Sequence, residues 1–255
     1  MKQRSGRWRG VLVILVVPLA ACGLVAGSGR PTQTSGGRRG AAPPGYVRMQ
    51  VVDVEEQGVI LSEPGAGRYL PIAVGQEQAL AVLLRLNKER YRRPLTHDLL
   101  DRIVDEMGGQ VEQVQIVRLE GSTFIGSVTM RSRERVFSVD ARSSDAIIIA
   151  LGRRAPIYVA AGVLDAEGVR LDTPIESGIP DCDRVLRRFL RCTDAERPLG
   201  ERVALHAGAH AHARALRGTA GDARAEARAN CVAQEHKLEE QFGDHACWAD
   251  APAAT

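Results

Sequence analysis

Five cysteines are spread unevenly along these 255 residues. Cys182, Cys192, Cys231 and Cys247 all lie in the C-terminal third, and Cys22 stands alone near the start. An even set of clustered cysteines in a short segment predicts crosslinking, and disulfides persist only where the compartment is oxidising. Around them the sequence is alanine-rich and helical in period. Cys182, Val185, Leu186, Phe189 and Leu190 fall at i, i+3, i+4, i+7 and i+8, one apolar stripe. Pro198 can open a second helix through Leu216, and Asp222 can cap a third on which Cys231, Leu238 and Phe242 share a face. A helical unit over 179–250 is too small to hold much core, so two disulfides suit it. Four cysteines allow three connectivities. An antiparallel arrangement favours Cys182–Cys247 with Cys192–Cys231.

The N-terminus agrees with export. Lys2, Arg4, Arg7 and Arg9 precede an apolar run from Val11 to Ala21, shorter than the about 20 residues a bilayer span needs. It ends in Leu19-Ala20-Ala21-Cys22, which resembles the lipobox of bacterial lipoproteins. Residues 1–21 are expected to be a signal peptide and Cys22 the acylated first residue of an exported protein, lipid-anchored to a bacterial membrane in the cell envelope. An ordinary secretory signal is the alternative, and it exports the chain equally. Residues 22–45, rich in Gly, Ser, Thr, Pro and Arg, read as a flexible linker. The first four basic residues exceed the formal net charge of +3, so the remainder is −1. That balance argues against a strongly basic nucleic-acid binder.

Residues 46–170 have the composition of a folded domain. Val47–Val54, Val59–Leu61 and Tyr69–Val74 read as strands, and Ala79, Val82, Leu83 and Leu86 repeat at helical spacing. Thr96 can cap a helix whose Leu99, Leu100, Ile103, Val104 and Met107 face a core, ending at Gly108-Gly109. Three strands follow, Val111–Leu119, Thr123–Met130 and Arg135–Asp140. Ser143 opens a helix through Leu151, and Pro156–Ala160 is a last buried strand. Helices interleaved irregularly with hairpins predict an α+β fold, a compact mixed domain followed by the small disulfide-linked α-helical unit.

Three stretches of this domain resemble the bifunctional nuclease family. They are Arg93-Pro94-Leu95-Thr96-His97-Asp98-Leu99-Leu100; Val139 through Ile147 with Ala155-Pro156-Ile157-Tyr158-Val159; and Val163 through Val169. The resemblance covers nearly all of Tyr46–Val169 and implies a compact α+β domain, often self-associating, with DNase and RNase activity reported in some members. Two positions depart from the family pattern. Gln78 stands where an acidic residue is usual, and Ser143 replaces a proline.

Phosphodiester hydrolysis needs a group to activate water, a group to stabilise charge on phosphate, and often a divalent ion held by carboxylates. His97 and Asp98 at one helix start, and Asp140, Arg142, Ser144 and Asp145 at a strand-to-helix junction, are the candidate catalytic residues. His97 would act as general base or acid, Asp140 and Asp145 as ligands of Mg²⁺ or Mn²⁺, and Arg142 as a bidentate phosphate donor. The competing reading makes Asp98 and Asp145 first-turn helix stabilisers and Ser143 or Ser144 an N-cap. Arg131, Arg133 and Arg135 alternate, which places them on one face of a strand. His206 and His210 share a helix face, with no acidic residue evident to complete a metal set. The chain is expected to be either a membrane-anchored nuclease acting on DNA or RNA, or a non-catalytic envelope binding or scaffold module. The self-association that the resemblance implies adds a homo-oligomer to the candidate partners, beside nucleic acid and membrane lipid.

Overall fold

A computed structural model describes residues 42–89, 91–194 and 197–248. The expected signal peptide, Cys22, Arg90 and the expected linker up to residue 41 lie outside the described residues. The described residues divide into two compact units, one of 42–171 with 199–204 and one of 172–198 with 205–248.

The first unit carries eight strands and four helices, an α+β fold. In chain order these are β1 (Tyr46–Glu55), β2 (Gly58–Ser62), β3 (Arg68–Ala73), α1 (Gln76–Asn87), α2 (Thr96–Glu106), β4 (Gly109–Glu120), β5 (Thr123–Ser132), β6 (Arg135–Arg142), α3 (Ser143–Arg153), β7 (Ile157–Ala160), α4 (Ala161–Glu167) and β8 (Val169–Arg170). The strands make one sheet in the order β6-β5-β4-β7-β1-β2-β3-β8. Neighbours pair antiparallel except β4 with β7, which run parallel because α3 forms the crossover between the β4-β5-β6 meander and β7.

The sequence of α3 explains its central position. Ala146, Ile147, Ile148, Ile149 and Ala150 are all buried, so the helix is apolar almost all round and must be enclosed. It packs on β4 and β5 beside α1, within a core that includes Leu61, Leu70, Ile72, Val114, Ile116 and Val159. Gly126 in β5 lets it approach. A Cβ there would lie 3.1 Å from Ala146 Cβ and 3.0 Å from the Ala141 carbonyl oxygen. This contact seats the junction between β6 and α3.

Three local expectations change. Arg131, Arg133 and Arg135 do not share a strand face. Arg131 lies in β5 and bonds Glu112, Arg133 sits at φ 54° in the turn, and Arg135 begins β6. Thr96 is the first residue of α2 and Leu95 its N-cap. Ser143 and Ser144 are buried inside α3, where Arg142 is the N-cap.

The second unit contains α5 (Pro180–Asp194), α6 (Leu199–Arg217) from Leu205 onward, and α7 (Gly221–Phe242). Its disulfides are Cys182–Cys231 and Cys192–Cys247, the reverse of the expected pairing. The expectation treated α5 and α7 as an antiparallel hairpin. They run parallel, because α6 intervenes and carries the chain back. Ion pairs Asp181–Arg228 and Arg184–Glu235 rise together along both helices, as do the two disulfides. Val185 buries against Leu238, Phe242 and Trp248. Among the described residues no helix is long and apolar enough to cross a membrane.

Candidate active site

The first turns of α2 and α3 lie side by side. Each carries one of the sequence motifs, and the two motifs meet through their polar side chains. His97 Nε2 is 3.1 Å from Asp145 Oδ1. Arg142 reaches the same carboxylate from the N-cap of α3, with Nε donating to Oδ2 at 2.7 Å and Nη2 to Oδ1 at 3.1 Å. Burial pushes the Asp145 carboxyl up, but the hydrogen bonds from Arg142 and His97 outweigh it and hold the group below the usual carboxylate range. Asp145 in turn raises the Arg142 guanidinium. Arg142 is 67% exposed, so the edge of the fork not bonded to Asp145 faces solvent.

Asp98 does not join this cluster. Its Oδ2 accepts the Leu95 backbone N–H at 3.0 Å, the reciprocal half of a capping box, and its Oδ1 pairs with Arg85 Nη2 at 3.1 Å. Asp140 is exposed in β6, opposite Ser127 and two residues before Arg142. Ser144 is buried in the first turn of α3. The geometry therefore brings together His97, Arg142 and Asp145 and leaves Asp98 in a structural role.

Sequence reasoning missed the residues that hold α2 in place. Arg85 on α1 pairs with Asp98 and with Asp101 Oδ2 at 2.8 Å. Arg153 at the end of α3 pairs with Asp105 and donates to the Asp101 carbonyl. Gly152 makes room, since a Cβ there would lie 2.7 Å from Arg85 Nη1 and 2.9 Å from Asp101 Oδ2. Burial raises the Asp101 carboxyl, and Arg85 and Arg153 only partly offset it. Asp98, Asp101 and Asp105 at i, i+3 and i+7 were the available signal, a second stripe on the same helix.

That stripe corrects the reading of α2. Only Val104 of its apolar residues is buried, whereas Leu99, Leu100, Ile103 and Met107 are exposed. The helix turns its ionisable side to the domain and its apolar side outward. Next to His97, a cavity of ≈ 20 Å³ is lined by Arg85, Tyr91, Leu95, His97, Asp98 and Ile148 among others. It holds little more than one water.

The expected metal site does not fit this side-chain arrangement. Asp145, one of the two proposed ligands, gives both oxygens to His97 and Arg142. Among the described residues no group of three or more His, Cys, Asp or Glu is placed to hold a metal ion. On α6, His206 Nε2 contacts Asp194 Oδ2 at 2.8 Å, an acidic partner the sequence did not reveal.

A mixed sheet crossed by a buried helix, with a His–Asp–Arg cluster where two helices begin, defines a domain class that comparison with known proteins identifies. Residues 59–172 match the family model described as the bifunctional nuclease domain. An uncharacterized protein of Mycobacterium tuberculosis is 36% identical over 129 residues, 49% of this chain and 77% of that protein. Bifunctional nuclease 1 of Arabidopsis thaliana is 27% identical over 146 residues, 56% of this chain and 44% of that protein. Bifunctional nuclease 1 of Oryza sativa subsp. indica is 26% identical over 143 residues, 55% of this chain and 42% of that protein. The chain belongs to the bifunctional nuclease domain family, and it carries a nuclease-like domain.

Proposed function

We propose that the protein hydrolyses phosphodiesters of DNA or RNA at the His97–Arg142–Asp145 cluster. The observation that carries this reading is the meeting of two family motifs, 48 residues apart, through His97 and Asp145. A carboxylate bonded to Nε2–H fixes the imidazole tautomer and leaves Nδ1 as a base toward water. The exposed edge of Arg142 donates to a phosphate oxygen and stabilises charge as it develops. Asp145 positions both groups and stays ionised. Mg²⁺ or Mn²⁺ belongs to the test as a variable, since Asp140 is the remaining carboxylate of the proposed set without a described partner.

A second reading has one specific observation in its favour. Asp98 and Asp145 are both engaged in caps and ion pairs, which a non-catalytic binding or scaffold module would also show. Under either reading we propose that the protein is exported, anchored to a bacterial membrane by lipid on Cys22, and homo-oligomeric. Anchoring is tested by metabolic labelling with a fatty acid. Label and membrane association lost in Cys22→Ala support it, and an unlabelled wild-type chain contradicts it.

Nuclease assays on the purified protein separate the two readings. Single- and double-stranded DNA and RNA are incubated with Mg²⁺, Mn²⁺ or EDTA, beside His97→Ala. Cleavage lost in the folded variant supports hydrolysis at this cluster. No cleavage of any substrate by a folded wild-type protein supports the binding module.

A further inference from the structure

Helix α2 shows to solvent what a surface helix ordinarily buries. Leu99, Ile103 and Met107 recur at every fourth residue, so they stand in one row, and Leu100 lies beside it. The three are 53%, 46% and 71% exposed. The same helix commits Asp98, Asp101 and Asp105 to Arg85 and Arg153 on its domain side. Those ion pairs fix the rotation of α2 and keep the apolar row outside. Large apolar side chains that are contiguous on one exposed face mark a docking surface, whereas scattered ones do not.

The rim of this row is basic. Arg92 and Arg93 precede the helix, Arg102 lies on it, and Arg133 and Arg135 lie at the β5–β6 turn, all exposed. That turn is beside the end of α2, since Ser132 pairs with Gly109, two residues beyond Met107. Against these arginines stand Glu106, Glu134 and Asp105, and Asp105 is already paired with Arg153. An apolar row inside a net basic rim is complementary to a bilayer with anionic headgroups. The acyl boundary takes the apolar side chains and the lipid phosphates take the guanidiniums.

On the lipid-anchored reading, a bilayer is also within reach. Cys22 and Tyr46 are 24 residues apart, a span of at most about 80 Å. That exceeds the width of a domain of this size, so any of its faces can turn to the membrane that holds the lipid. Tethering raises the effective concentration of the bilayer, so a patch too small to hold lipid by itself suffices.

We propose that the outward row of α2, formed by Leu99, Leu100, Ile103 and Met107, docks in the interface of an anionic bilayer with its arginine rim on the headgroups. This docking rests on the anchoring of the chain through Cys22 and is independent of the catalytic reading. With α2 laid along the bilayer, the candidate active site at its N-terminus is held close to the membrane surface.

The test uses the full chain, purified from membranes and reconstituted into phosphatidylcholine vesicles with or without phosphatidylglycerol. Two variants each carry one added thiol bearing a fluorescent label, I103C on the row and P64C in the exposed β2–β3 loop. No other thiol competes, because Cys22 carries the lipid and the other four cysteines form disulfides. An interfacial helix sinks its apolar face about 5–10 Å into the headgroup and acyl boundary, so nitroxides on the upper acyl chains should quench the I103C label at least about twofold. The P64C label should keep its intensity. Quenching of I103C should be stronger with phosphatidylglycerol and weaker in high salt. An anchored protein whose I103C label is quenched no more than its P64C label overturns the docking and leaves the anchor standing. A label at I103C that is hidden from aqueous iodide, yet untouched by the bilayer nitroxides, overturns it in favour of a protein partner. A chain recovered without lipid overturns the anchor. The same two labels, placed in Cys22→Ala and mixed with the same vesicles, then decide the docking by the same contrast.

Discussion

His97 and Asp145 lie 48 residues apart in the chain, and their side chains meet at 3.1 Å where α2 and α3 begin. The contact ties together two sequence motifs that neither helix could connect alone. Arg142 completes it from the residue before α3.

The carboxylate of Asp145 makes this relationship sensitive to acid. Its folded-state pKa is held below the ordinary value of 3.8 after burial and hydrogen bonding are balanced. A depressed carboxylate contributes stability that is present above its unfolded pKa and lost as pH falls through the folded one. Asp145→Asn should therefore lower stability at pH 7 by about 1–2 kcal/mol and flatten the loss of stability below about pH 4. Urea unfolding of both proteins at neutral and acid pH checks this. Equal slopes in acid would contradict it.

The two sides of α2 should respond oppositely to mutation. Ile103→Gln, on the exposed side, should change stability by no more than about 0.5 kcal/mol. Arg85→Met removes the cation that pairs with both Asp98 and Asp101 and should cost about 2–3 kcal/mol. Thermal or denaturant unfolding measures both, and a costly Ile103→Gln with a neutral Arg85→Met would reverse the assignment.

This helix marks the limit of what the sequence made legible. The strands from Tyr46 to Asp140, the buried helix after Ser143 and the stripe on α5 follow from period and burial, and the structure has them. In α2 two stripes compete, Leu99, Ile103 and Met107 against His97, Asp101 and Asp105. Apolar periodicity alone selects the wrong one as inward, because the partners Arg85 and Arg153 lie on other helices and no local pattern announces them. The disulfide order failed for a similar reason. Connectivity depends on helix direction, and the return through α6 makes α5 and α7 parallel. For the candidate site, His97, Arg142 and Asp145 were legible as motif residues, but the capping role of Asp98 depends on its side-chain geometry.

Non-reducing peptide mapping should recover Cys182 joined to Cys231 and Cys192 joined to Cys247. Replacing Cys182 and Cys231 together by Ala should destabilise the helical unit by about 2–4 kcal/mol. Recovery of Cys182 joined to Cys247 would contradict the parallel arrangement of α5 and α7.

The helical unit should also weaken in mild acid through His210. Burial, then His206, Arg214 and Arg217, lower its pKa from 6.5. A histidine whose folded pKa is depressed contributes stability above its unfolded pKa, and this is lost as pH falls through the folded one. Unfolding midpoints should decline below about pH 6.5 and decline less in His210→Gln. Parallel declines in both proteins would exclude His210 as the cause.

The central claim is that His97 acts on substrate while Asp145 positions it. The most direct measurement is the initial rate of nucleic-acid cleavage by the wild-type protein, His97→Ala and Asp145→Asn, each shown to be folded by circular dichroism. Removing a general base costs about 10²–10⁴-fold, so His97→Ala should lose at least about a hundredfold in rate, with Asp145→Asn also reduced. A rate unchanged in folded His97→Ala would place the chemistry elsewhere and contradict the account.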